Sequence, residues 1–247
     1  MEAYLPLGYG FFLVLFRTAG LIAVAPPFNM RTIPARVRLG VSVGITVVIF
    51  IAAGSPRVEL PPTLFHLAGA AMAETAIGLI GGLGAQVVLN AALGAGHLIS
   101  VNMGFSMAQQ VDPINGLEST VLQQLLLFMT LAMAVSFGIH REAIIWLTRS
   151  IHTFPPGASV DLIPFFTRLM SHCLYAVALS VRLAAPVLGA VTMGNVALGL
   201  LSRAVPSLSL QSIGFSIGIL AGGGALYMVA PTIAEMAARA SVATFAN

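Results

Sequence analysis

The sequence predicts an all-α, membrane-associated protein of about six long hydrophobic helices, and three observations carry that prediction. Apolar residues make up 58% of the 247 residues and charged residues only 8%. The mean hydropathy of +0.97 is too high for a soluble domain of this length. The apolar runs are cut by Pro-Pro, Gly-Ser-Pro and Asp-Pro breaks, so that most stretches between them suit a hydrocarbon layer about 30 Å thick.

Leu5 to Ala25 is long enough to cross and stops at Pro26-Pro27, with Arg17 inside it. Its end, Ala23-Val24-Ala25, resembles a signal-peptide cleavage site, but Glu2 precedes it without any basic residue, and the segment is read as retained. A basic hinge, Arg31 to Arg38, leads to a second segment, Leu39 to Ala53, about 15 residues where a span needs about 20. After Pro61-Pro62, Leu64 to Val101 reads as one helix of about 55 Å, too long to stay inside a bilayer unless it kinks near Gly94 and Gly96. Ser119 to Ile139 is again apolar, and His140 to Ser150 is amphipathic, with Trp146 suited to an interface. The next helix, from Pro164 to Leu201, carries Pro186 and is expected to kink there. Leu208 to Ala230 is the last apolar helix, followed by a short tail to Asn247. No fixed-period repeat or low-complexity linker appears, so residues 1–247 are treated as a single domain.

Ser100 to Thr120 is the one long polar interruption in the middle of the chain. Asp112-Pro113 breaks any helix that enters it, because proline disfavours the α conformation of the preceding residue and lacks a backbone donor. Asn115 with Glu118 reads as a variant capping box that restarts a helix. Met103, Phe105 and Met107 lie on the way in. The methionines suit either ordinary core filling or a deformable seal.

Charge narrows the function classes. The net charge is +3, but the basic residues are scattered among apolar segments, which argues against nucleic-acid binding. All 11 basic residues are arginine. Either a GC-rich genome or a use for planar, bidentate pairing in partly buried places accounts for that. Outside the spans, Arg31, Arg36, Arg38 and Arg203 fall on one side and Arg57, Arg141, Arg149, Arg168 and Arg239 on the other, so charge gives no orientation. Arg17, Glu74 and Arg182 lie within apolar segments, where an ionisable group is paired or faces a polar path. Both readings stay open, as does the identity of the partners. Small residues four apart (Gly40 and Gly44, Gly78 and Gly82, Gly214, Gly218 and Gly222) permit close helix approach, within the chain or against other subunits. Cys173 is a lone cysteine, no histidine stands in a zinc-binding pattern, and no phosphate loop or nucleophile elbow occurs. No enzyme, cofactor or metal site is therefore expected.

Four patches resemble the FliR family of flagellar type III export-gate subunits and its injectisome SctT/SpaR-type relatives. They are Arg17-Thr-Ala-Gly-Leu with Pro26 and the hinge Ile33 to Arg38; Ala95 to Pro113; Phe137 to His140 with Ser150 to Pro155; and Ala185-Pro186 through Asn195 to Pro206 with Ile213-Gly-Phe215. Asn102, Ile139, Ser202 and Ser216 depart from the family's usual residues and leave those single contacts open. The resemblance implies tilted, broken helical hairpins in a hetero-oligomeric export gate with FliP-like and FliQ-like subunits and an FlhB-like switch protein. Such a gate belongs to the bacterial inner membrane and passes unfolded export substrates. It implies a pore plug or gate at Met103, Phe105, Met107, Gln109, Gln110, Asp112 and Pro113. Arg17, Arg38, Glu74, Pro186, Asn195, Arg203 and Pro206 become structural or assembly residues. The competing reading is a proton-coupled small-molecule transporter that uses Glu74.

Overall fold

The computed structural model describes residues 5–29, 33–105, 120–158, 160–204 and 210–246. Among these, every regular element is an α-helix: α1 Leu5–Val24, α2 Ala35–Ala52, α3 Leu64–Leu89, α4 Ala91–Asn102, α5 Val121–Ser136, α6 Ile139–Thr153, α7 Ile163–Ala204 and α8 Leu210–Ala246. Five helical stretches are long and apolar enough to cross a membrane, and α5 with α6 makes a sixth if that bent pair counts as one. Residues divide into two compact units that alternate along the chain. The first takes Met1–Val88, Val135–Cys173 and Ser241–Asn247; the second takes Leu89–Ala134 and Leu174–Ala240.

In the first unit, α1 packs on α2 and α6 around Val14, Ile49, Phe50, Leu147 and Ile151, with the Phe11 and Phe50 rings edge to face at 5.5 Å. The glycines of α3 let α1 approach to backbone distance. A Cβ on Gly78 would lie 2.0 Å from the carbonyl oxygen of Arg17, and one on Gly82 would lie 2.8 Å from that of Leu21. This is within-chain packing of small residues four apart. Gly40 and Gly44 on α2 differ, since no other element among the described residues comes within 4 Å of the place a Cβ would take. Trp146 is half-buried and packs within the unit. Its ring lies on Gly81, where a Cβ would come within 2.2 Å of it, and 6.3 Å from the Phe245 ring.

The second unit is built from α4, α5 and the parts of α7 and α8 between Leu174 and Ala240. Its buried side chains include Ile99 of α4, Leu126 of α5, Leu183 and Val187 of α7, and Ile233 of α8. Gly96 allows α4 and α5 to touch, because its Cβ would fall 2.8 Å from Gln123 Cα.

Several boundaries differ from expectation for local reasons. Helix α2 begins at Ala35 rather than Leu39, because Pro34, at φ −59° and ψ 145°, takes the N-cap position. Arg36 and Arg38 thus sit in its first turn, and at 18 residues the helix suits a span better than the shorter reading did. The long third segment breaks at Asn90, not near Gly94 and Gly96. Those two glycines lie inside α4 and serve close packing instead, Gly94 against Ser180 Cβ at 3.0 Å and Gly96 against Gln123. Gly138, in the left-handed region at φ +80°, separates α5 from α6. Helix α7 continues without interruption through Pro186.

The stretch beyond Ala230 is no tail. Helix α8 runs through Pro231 to Ala246. The alanine-rich sequence after the proline has strong helix propensity and buries Ala234, Ala237 and Ala238. Near its end, Ser241 Oγ donates to the carbonyl of Ala85 at 2.8 Å.

Candidate functional site

Two sites follow from these elements. The first lies wholly in the first unit, where Arg17 of α1 is fully buried and Glu74 of α3 is 3% exposed. Arg17 Nε donates to Glu74 Oε2 at 2.5 Å, Nη1 to the Ser150 carbonyl at 2.8 Å and Nη2 to the Phe154 carbonyl at 3.0 Å. Both acceptors lie at the C-terminal end of α6: the Ser150 carbonyl also accepts the N–H of the C-cap residue Phe154 at 2.9 Å, and the Phe154 carbonyl lies just beyond the helix. Glu74 Oε1 accepts from the backbone N–H of Gly157 at 3.0 Å, and Gly157 stands at φ +80° in the turn after α6. One guanidinium therefore ties α1, α3 and the end of α6 together, and its carboxylate partner fixes the next turn. A buried charge pair survives only when the remaining donors and lone pairs are also satisfied, and these contacts do that. Arg182, the third charge in an apolar segment, lies exposed on α7.

The second site is the approach to the polar interruption, in the second unit. Helix α4 ends at Asn102, whose Nδ2 donates to the Leu98 carbonyl at 2.8 Å. Met103 follows, 4% exposed, with its side chain against Gly222 of α8, where a Cβ would come 2.7 Å from the methionine sulfur. Gly104 turns the chain at φ +83°, and the half-buried Phe105 donates its N–H to the Ser100 carbonyl at 3.0 Å. On the far side, Thr120 and Gln123 form a reciprocal capping box ahead of α5. The Thr120 N–H donates to Gln123 Oε1, and the Gln123 N–H donates to Thr120 Oγ1 at 3.4 Å. Since α4 and α5 touch at Gly96, the chain departs and returns on neighbouring helices. Met107, Gln109, Gln110, Asp112 and Pro113, like the Asn115–Glu118 box, lie outside the described residues.

Of the other expected site residues, Arg38 is half-buried on α2, and its Nε is shielded from water without an acceptor among the described residues. Pro186 and Asn195 are exposed on α7, Arg203 lies in the last turn of that helix, and Pro206 is outside the described residues. Among the described residues no three His, Cys, Asp or Glu side chains gather as a metal would require. Sequence reasoning missed the Thr120-x-x-Gln123 box, which carried its own signature. It also missed the backbone acceptors of Arg17, for which no local signature exists.

A polytopic helical protein with a buried arginine–glutamate tie and a polar interruption between touching helices is a narrow class. The chain matches the family described as bacterial export proteins, family 1, over residues 9–243. It is 31% identical over 224 residues to the flagellar biosynthetic protein FliR of Escherichia coli strain K12, covering 91% of this chain and 85% of that one. It is 26% identical over 227 residues to FliR of Bacillus subtilis strain 168, covering 89% and 85%. The surface presentation of antigens protein SpaR of Shigella flexneri is 24% identical over 231 residues, covering 89% and 84%. This chain belongs to the bacterial export protein family 1.

Proposed function

We propose that this protein is a non-enzymatic subunit of the flagellar type III protein export gate. It assembles in the inner membrane with FliP-like and FliQ-like subunits and an FlhB-like switch protein, and unfolded flagellar proteins pass through the resulting channel. The observation that carries this reading is the family match along nearly the whole chain, with relatives named FliR of similar length. Support for the gate comes from the approach geometry. A polar segment unfit for lipid begins at Met103 and Phe105 and ends at a capped helix start, and both flanks are held by packing within one unit. A polar segment whose flanks are held in this way suits the plug of an aqueous pore.

The transporter reading fares worse. A proton-carrying Glu74 would need a free oxygen and a path, whereas both of its oxygens accept hydrogen bonds in a buried setting.

Co-expression with FliP-like and FliQ-like subunits and purification in detergent tests the assembly. Co-purification of the three is expected; a monodisperse, well-folded chain obtained without partners would overturn the reading. Deletion of Gln109 to Gly116 tests the plug. Cells carrying the assembled variant complex are expected to leak small solutes, and unchanged ion permeability would refute the plug assignment.

A further inference from the structure

The first unit holds a cavity of about 350 Å³ that the export reading leaves unused. Its floor is α3, where Gly81 and Gly84 lie one turn apart on one face. A Cβ on Gly81 would meet the Trp146 ring at 2.2 Å, and a Cβ on Gly84 would come 3.2 Å from His172 Cδ2. Both rings thus rest against bare backbone. Arg149 enters the lining from α6, and Arg168 and His172, four residues apart on α7, enter from a second helix. Among the described residues no carboxylate lines the cavity. Of the unit's described carboxylates, Glu74, Glu142 and Asp161 are engaged with Arg17, with Arg141 and with the backbone N–H of Ile163, and the exposed Glu59 is not in the lining. Arg149 has one competing use, a 3.4 Å hydrogen bond from Nη1 to the carbonyl of Ala246, which leaves most of its donor fork unspent.

We infer that this cavity binds the phosphodiester headgroup of an anionic phospholipid, with Arg149 and Arg168 as the phosphate-binding residues and His172 as a third donor. Guanidinium groups suit phosphate because two parallel N–H bonds match two of its oxygens. The volume lies in the range of sites that enclose a small polar group, and basic pockets between membrane helices take lipid headgroups. Apolar walls favour a lipid over free phosphate. Phe154, Phe165 and Phe245 line the cavity beside the charges and suit a glycerol backbone and the first acyl methylenes.

Trp146 is the only tryptophan in the chain and stands on the cavity wall, so its fluorescence reports on the site without any substitution. In the full-length protein in detergent, phosphatidylglycerol brominated near the top of its acyl chains is expected to quench Trp146 more strongly than equally brominated phosphatidylcholine. Equal quenching by the two would overturn the inference. Native mass spectrometry of the protein with added phosphatidylglycerol supplies a second readout. Arg149→Gln with Arg168→Gln is expected to weaken retention about tenfold, as loss of charge-assisted phosphate contacts requires. Arg141→Gln, outside the cavity, is expected to leave it unchanged. Undiminished retention in the double variant would also overturn the site. Millimolar inorganic phosphate is the arm for the other source: quenching by brominated phosphatidylglycerol should persist in its presence, and its abolition would assign the cavity to free phosphate.

Discussion

The arginine–glutamate tie of the first unit and the approach to the polar interruption in the second solve the same problem by different means. In the first, polar groups inside an apolar protein are held by charge: one guanidinium serves a carboxylate and two carbonyls within 3.0 Å. In the second, helices touch through missing side chains, Gly96 against Gln123 and Gly222 against Met103, and the chain end is fixed by a neutral capping box. Charge-assisted bonds in a dry interior permit one geometry and make its loss costly. Backbone contact cushioned by a methionine tolerates small shifts, because the thioether repacks. The first arrangement suits a fixed frame, and the second suits a contact that accepts small displacements.

That contrast can be broken most severely at the charge pair. Glu74→Gln or Arg17→Ala alone leaves an uncompensated buried charge and is expected to cost about 3–5 kcal/mol, read as lost thermal stability in detergent. Replacing both by apolar residues of similar volume should recover much of it, and a double variant no better than the singles would show that the backbone acceptors at Ser150 and Phe154 matter more than the carboxylate. Next come the glycine contacts. Gly78→Ala and Gly96→Ala each force a Cβ into backbone, at 2.0 Å and 2.8 Å, and about 1–3 kcal/mol of destabilisation is expected. Gly44→Ala, with open space around it, should leave the isolated chain unchanged or stabilise it by roughly 0.5–1 kcal/mol. If Gly44→Ala nevertheless prevents assembly with other subunits, that face of α2 is a subunit contact. The mildest test is Thr120→Ala, which removes half of the capping box and should cost about 0.5–2 kcal/mol, seen as earlier exchange of amide protons at the start of α5.

Periodicity and punctuation made most of this fold readable in sequence. Long apolar runs between prolines locate α1, α5 and α7, and α3 with α4 taken together, to within a few residues, because burial and helix formation draw on the same pattern. Where expectation went astray, a tertiary contact outweighed a local rule. The apolar run ends at Ala230 and the rest reads as a tail, yet the alanines behind Pro231 are buried and Ser241 is bonded to α3, so the helix continues. Gly94 and Gly96 read as a kink, but their lack of side chains is used for close packing. The arginine and glutamate were conspicuous as charges in grease, whereas their pairing joins residues 57 apart and two carbonyls no sequence signature marks. Nothing in the neighbourhood of Trp146 announces that its ring rests on Gly81.

Arg17 also bears on the absence of lysine. Its three guanidinium nitrogens each reach a different acceptor, in three directions from one plane. A single ammonium nitrogen at the end of a lysine cannot stand within hydrogen-bond distance of all three. Base composition therefore has no say at this position, whereas exposed positions such as Arg36 and Arg57 accept either basic residue. In a genome drifting toward lower GC content, lysine should spread through those surface positions first, and position 17 should be among the last to change.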